Sequence, residues 1–251
     1  MPDIALLLVA GFVAGAMNAV AGGGTFVSLP ALAFMGLPPT VANASSTVAL
    51  FPGTLASAWA YRRDVQPLAI APTWTLLALS LGGGLIGAAL LLVTPERAFT
   101  ALVPWLLLLA TATLAAGHRL TLGLQRLGLH MGGRSILVAQ FGLGIYGGYF
   151  GGAVGLMMLA AWSLATSADL RTLNPLRTLM VAAANGVAVV CFAATGNVSW
   201  RESLVVMAGG VAGGYIGARA GRRLPAPVLR GLILTIAIGT TAAFFIHAYG
   251  R

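Results

Sequence analysis

Over 251 residues the chain is 59% hydrophobic and only 8% charged, with a mean hydropathy of +0.93. A soluble domain carries about a quarter of its residues charged, so a soluble globular protein is excluded and the composition is that of an integral membrane protein. All 14 basic residues are arginine against five acids, a net charge of +9 that in a soluble chain would point to nucleic acid; here the arginines sit at segment ends, where topology and anionic headgroups account for them.

Apolar runs and breakers predict helical segments at 4–21, 25–37, 41–61, 68–93, 98–117, 134–150, 153–167, 172–195, 203–222 and 226–248. The fold expected is an all-α polytopic membrane protein of about ten segments. The first run has a signal-like Ala19-Val20-Ala21 but only Asp3 ahead of it and no basic residue, so it reads as a retained membrane segment. Runs 25–37 and 153–167 are too short to span comfortably, and each follows a glycine cluster. Either they cross or they turn back as halves of re-entrant hairpins. The lone Cys191 rules out an intrachain disulfide.

The second half repeats the first at an offset of about 130. Pro95 matches Pro225, Gly84 and Gly87 match Gly214 and Gly217, and Gly22 matches Gly152. With one inserted residue, the stretch from Asn43 (NASSTVALFPG) aligns with that from Asn174 (NPLRTLMVAAANG). The division expected is residues 1–117 as one transmembrane repeat, 118–133 as a cytoplasmic linker and 134–251 as a second repeat. Five segments per copy is an odd number, so the second copy is inverted. Arg62, Arg63, Arg119, Arg126, Arg134, Arg171, Arg219, Arg222, Arg223 and Arg230 fall on one side, against Arg97, Arg201 and Arg251 on the other. The richer side is expected to be cytoplasmic, which puts both termini on the opposite side.

Backbone in hydrocarbon must satisfy its own hydrogen bonds, so a broken segment is tolerated only against protein or a water-filled cavity. Breaks at equivalent places in inverted repeats point to a transporter's central site. Gly22, Gly23, Gly24 and Thr25 at the first break, and Gly151, Gly152 and Gly155 at the second, are therefore candidate substrate-binding residues. The short helices that follow aim free N–H groups at the breaks, which favours an anion. Gly83-xxx-Gly87 and Gly213-xxx-Gly217 read instead as close helix packing. Arg177, five residues into its segment, marks either a ligand path or a side chain snorkelling to the surface. Asn43, Ser45, Ser46 and Thr47 in the first repeat give neutral donors where the second gives Asn174 and Arg177, with Asn18 and Asn185 as further candidates or as interhelical glue.

Other chemistry is missing. There is no GxxxxGK[ST] and no lysine to complete one. His118, His130 and His247 are isolated, so no metal site is expected, and no cofactor either. The acids Asp3, Asp64, Glu96, Asp169 and Glu202 all lie at segment ends, leaving no proton relay inside. Anion export down the membrane potential needs no coupling ion. Uptake needs one, and Na⁺ held by carbonyls and hydroxyls requires no acid.

The stretches NAVAGGGTFVSLPAL from Asn18 and GLPPTVANASS from Gly36 resemble the start of the TauE/SafE sulfite-exporter family, also called the toluene sulfonate uptake permeases. The second glycine turn, the Asn174/Arg177 stretch and the NVSW ending at Trp200 also fit, so the likeness covers nearly the whole chain. It implies a multi-pass inner-membrane protein that moves small sulfur-containing anions such as sulfite, thiosulfate or organosulfonates, with export the expected direction. By the same resemblance Asn18 to Thr25 form the family's first turn, and Arg177 stands where members often carry lysine. The second turn, Gly151-Gly152-Ala153-Val154-Gly155, is looser than the family's glycine run. The expected partners are the anion and the bilayer, not nucleic acid; a homo-oligomer is compatible with the sequence. A passive anion channel, a non-transporting scaffold and, last, a membrane enzyme are the alternatives.

Overall fold

The computed structural model describes residues 2–68, 71–126, 131–166, 168–220 and 226–250, which form ten α-helices and, among those residues, no strand. In chain order they are α1 (Pro2–Ala21), α2 (Thr25–Phe34), α3 (Pro39–Tyr61), α4 (Thr73–Val93), α5 (Glu96–Arg126), α6 (Gly133–Tyr149), α7 (Val154–Ser163), α8 (Leu170–Ala194), α9 (Trp200–Ala220) and α10 (Ala226–Tyr249). Each predicted segment has its helix. Arg222, Arg223 and His130 lie outside the described residues. The expected linker is shorter than its sequence suggested, because α5 continues through residues 118–126. That stretch, HRLTLGLQR, holds no proline and is rich in Leu, Arg and Gln, all good helix formers, so nothing stops the helix where the apolar run ends.

Stretches Thr73–Val93, Glu96–Gly117, Thr172–Ala194 and Arg230–Tyr249 are long and apolar enough to cross a bilayer. α3 is long too, but it carries Asn43, Ser45, Ser46, Thr47, Thr54 and Ser57, which lower its hydropathy. Those residues face inward, as shown below. Large apolar side chains such as Leu85, Val138, Val211 and Ile246 are exposed, as a surface solvated by lipid requires. Trp59, Trp74 and Trp200 are exposed near helix ends, the places aromatic belts occupy. The Arg62 guanidinium lies 4.1 Å over the Trp59 ring.

The pattern of packing has a two-fold character. Exchanging α1–α5 for α6–α10 turns the α1–α9 contact into α6–α4, and α3–α9 into α8–α4. It likewise turns α1–α2 into α6–α7, α2–α3 into α7–α8, α10–α2 into α5–α7, and α1–α3 into α6–α8. The α3–α8 and α5–α10 contacts map onto themselves, and the α3–α5 contact alone has no counterpart of similar extent. Between α5 and α10, the Thr111 hydroxyl meets the Thr241 hydroxyl at 2.9 Å, and the two are 130 residues apart. A residue that touches its own counterpart lies on the axis relating the halves.

The two outer pairs, α1–α9 and α4–α6, close through glycine. A Cβ on Gly83 would sit 2.6 Å from the Phe141 carbonyl oxygen, and one on Gly87, Gly148, Gly15 or Gly213 would land on a carbonyl of the facing helix. Small residues let backbones approach where lipid supplies no hydrophobic drive between helices. Gly213→Ala is accordingly expected to cost about 1–3 kcal/mol by overpacking against Phe12. Thermal unfolding in detergent checks this, with Gly53→Ala, where nothing lies within 4 Å, holding wild-type stability.

Candidate functional site

Both broken segments turn on a glycine in the left-handed region, Gly22 at φ +72° and Gly151 at φ +77°. Only glycine takes that conformation without steric penalty. Three residues later the chain re-enters a helix, at Thr25 and at Val154. In structure, then, Gly22 corresponds to Gly151 and not to Gly152 as the sequence alignment has it. The second break also passes through Ala153 at φ +57°, a conformation rare for a side-chain-bearing residue, so its helix opens one residue early relative to the alignment.

Each break leaves amides free. After Gly22 the next backbone hydrogen bonds belong to Phe26, donating to Gly23 at 3.2 Å, and Val27, donating to Gly24 at 3.0 Å. After Gly151 they belong to Leu156 and Met157, both donating to the Ala153 carbonyl. The N–H groups between make no backbone hydrogen bond, as the first turn of any helix requires, and the positive ends of α2 and α7 accompany them.

A cavity of about 70 Å³ lies between the two breaks. That is room for a few water-sized groups, hence for a small ion bearing several oxygens. Asn18, Gly22 and Thr25 line it from the first break, and Gly151, Val154 and Gly155 from the second. Thr47, Leu50, Thr54 and Ser57 line it from α3; Arg177, Thr178, Val181 and Asn185 line it from α8. Ten of these fourteen are counterparts: Gly22 with Gly151, Thr25 with Val154, Thr47 with Thr178, Leu50 with Val181, and Thr54 with Asn185. The cavity therefore sits on the axis that relates the halves.

Arg177 breaks the symmetry, since its counterpart is Ser46. Its Nε is buried with no hydrogen-bond partner, and among the described residues nothing hydrogen-bonds or ion-pairs with its guanidinium. No carboxylate lines the cavity. A Cβ on Gly155 would lie 3.2 Å from Arg177 Cδ, so glycine there lets the arginine stem cross the start of α7. Asn185 Oδ1 is the other buried cavity atom without a partner.

Six of the sequence candidates lie off the cavity. Asn43 is fully buried and donates its Nδ2 to the Tyr149 carbonyl at 2.9 Å. Ser46 shares a 2.6 Å hydrogen bond with Ser28, joining α3 to α2. Asn174 is half-buried in α8, its carbonyl accepting from the Thr178 hydroxyl at 2.8 Å. Gly23, Gly24 and Gly152 pack against neighbours, Gly24 so tightly that a Cβ would sit 2.6 Å from the Ala14 carbonyl oxygen. Asn18, Gly22, Thr25, Gly151, Gly155, Arg177 and Asn185 are the ones brought together. Thr47, a neutral donor of the stretch from Asn43, lines the cavity too, while Leu50, Thr54, Ser57, Val154, Thr178 and Val181 went unnoticed in the sequence. The α3 set did carry a signal, a stripe at spacings of three and four residues down one helical face.

The profile described as Sulfite exporter TauE/SafE matches residues 7–244 of this chain. The chain belongs to the TauE/SafE family. Among curated TauE/SafE-like relatives, a probable membrane transporter protein of Haemophilus influenzae is 27% identical over 95% of this chain and 93% of its own length. The probable membrane transporter protein ORF9 of Sinorhizobium is 25% identical, covering 94% of this chain and 89% of its own. The probable membrane transporter protein YfcA of Escherichia coli K12 is 24% identical, covering 99% and 91%. No solved structure gives a significant match. A TauE/SafE chain with multiple apolar helices is a multi-pass membrane transporter.

Proposed function

We propose that the protein is an inner-membrane permease for a small sulfur-containing oxyanion or organosulfonate, working by export and without ATP. The observation that carries this is Arg177, an arginine with no ion-pair partner among the described residues, lining a central cavity onto which two helix N-termini converge. A buried unpaired charge is costly, and an anion supplies what it lacks. Free amides at Thr25 and at Val154–Gly155, with the Asn18 amide and the Thr25 hydroxyl, give donors on the other sides. The exchange pattern in the packing supports two related copies, and the arginine bias between the loops argues for both termini being non-cytoplasmic. Outward movement of one negative charge gains about 2.3 kcal/mol per 100 mV, which suits export.

The test is thermal stability of the detergent-purified protein against sulfite, thiosulfate, sulfonates, sulfate, phosphate and carboxylates at constant ionic strength. One or more sulfur anions are expected to stabilise it selectively, by about 2.7 kcal/mol at a hundredfold excess over Kd. Equal curves with every anion would remove the sulfur-anion reading.

A further inference from the structure

An anion needs donors, yet three oxygens at the second break are acceptors that no anion can use. Asn185 Oδ1 is buried without a partner. The Thr47 hydroxyl gives its proton to the Asn43 carbonyl at 3.0 Å, so it offers lone pairs to anything else. The Gly147 carbonyl, in the last turn of α6, loses its regular donor because the Gly151 N–H turns to Tyr146 at 3.3 Å. All three surround one point. A Cβ on Gly151 would lie 3.5 Å from Gly147 O, 3.8 Å from Thr47 Oγ1 and 3.9 Å from Asn185 Oδ1, and glycine leaves that space open.

We infer that these three oxygens form a binding site for a monovalent cation, sodium, beside the anion. Neutral carbonyl, amide and hydroxyl oxygens suit a hard cation, while the absence of any carboxylate in the cavity lining weighs against a divalent one. The negative end of α6 points the same way as the Gly147 carbonyl, and unwound carbonyls at half-helix ends are a recurring sodium cradle in transporters. The first break has no such set. There the Gly22 N–H bonds Asn18 O regularly at 3.0 Å, and Thr54, in place of Asn185, turns its hydroxyl to the Leu50 carbonyl. One cation site per molecule follows, about two to three helical turns along α8 from Arg177. That it lies beside a bound anion rests on the anion-permease reading; its existence does not, and export down the membrane potential needs no coupling through it.

The test titrates the full-length detergent-purified protein with sodium, potassium or choline chloride at constant total chloride and without any sulfur anion, reading thermal stability. Sodium alone is expected to raise the melting temperature saturably, Thr47→Val and Asn185→Leu to lose that response, and Asn185→Asp to lower the half-saturating sodium about tenfold by adding ligand charge. Coincident sodium and choline curves in the wild type would overturn the site, showing water at these oxygens. So would a sodium response that Asn185→Asp weakens, because that sign belongs to an Asn185 amide turned to donate to an anion. Repeating the anion panel in sodium and in choline separates the readings: a sodium shift with no anion shift in either medium keeps the cation site and removes the anion permease, and an anion shift without a sodium shift removes only the cation site.

Discussion

Arg177→Ala is expected to lower anion affinity at least about a hundredfold while leaving the protein folded in the membrane. Hydrogen bonds to a charged group contribute about 1.5–3 kcal/mol each, and a guanidinium can offer two in parallel, so losing them exceeds the 2.7 kcal/mol that a hundredfold represents. Stability without ligand moves the other way. Removing one partner of a buried ion pair strands the other, but among the described residues Arg177 has no such partner, and its buried, unbonded Nε is itself a cost. The alanine variant should therefore melt at or above the wild-type temperature in anion-free buffer and show no anion shift. Arg177→Lys keeps the charge and loses the planar fork, so an intermediate affinity is expected. Wild-type anion dependence in Arg177→Ala would take the arginine out of the site.

Most of the architecture is legible in the sequence because the bilayer leaves few options for a chain this apolar. The apolar runs give the helices, and the glycine clusters at 22–24 and 151–152 fall at the breaks, although Gly82–Gly84 run through the unbroken α4, where they serve close packing. What the sequence cannot carry is which neighbour a polar side chain meets. Asn43 and Ser46 look like site residues, yet one is used up on the Tyr149 carbonyl and the other on Ser28. Thr54, a few turns away, looks like an ordinary helical threonine bonding back to the carbonyl four residues before, as it does, and still it lines the cavity. The register of the second break was hidden for a different reason. Alanine is not expected at φ +57°, so the alignment anchored on glycines and missed the residue that completes the turn.

Within the exchange relation, the ends of the cavity are unequal, and that inequality predicts sidedness. Ser57 and Arg177 line it, whereas their counterparts Ala188 and Ser46 are fully buried and off it. Ser57 leads towards Tyr61 and the arginine-bearing connection after α3, while the start of α3 is tied to the opposite loops: Thr40 to Glu96, and Ser45 to the Ser199 N–H at 2.9 Å. The cavity lining thus reaches towards the side expected to be cytoplasmic and stops short of Ser46 and Ala188 towards the other. Two related halves that can trade conformations would open the Ser46–Ala188 end by closing the Ser57–Arg177 end, which is alternating access written into the fold. In a background lacking Cys191, Ser57→Cys is expected to react with a membrane-impermeant thiol reagent from the cytoplasmic face at least about tenfold faster than Ser46→Cys. Both are near-isosteric changes on the same helix, so the ratio reports access and not folding. A tenfold ratio corresponds to only about 1.4 kcal/mol in favour of the closed arrangement at the Ser46 end, a bias that a two-state carrier must have and an open pore would lack. Equal reactivity at the two serines, from either face, would mean a continuous path and would replace the carrier by a channel.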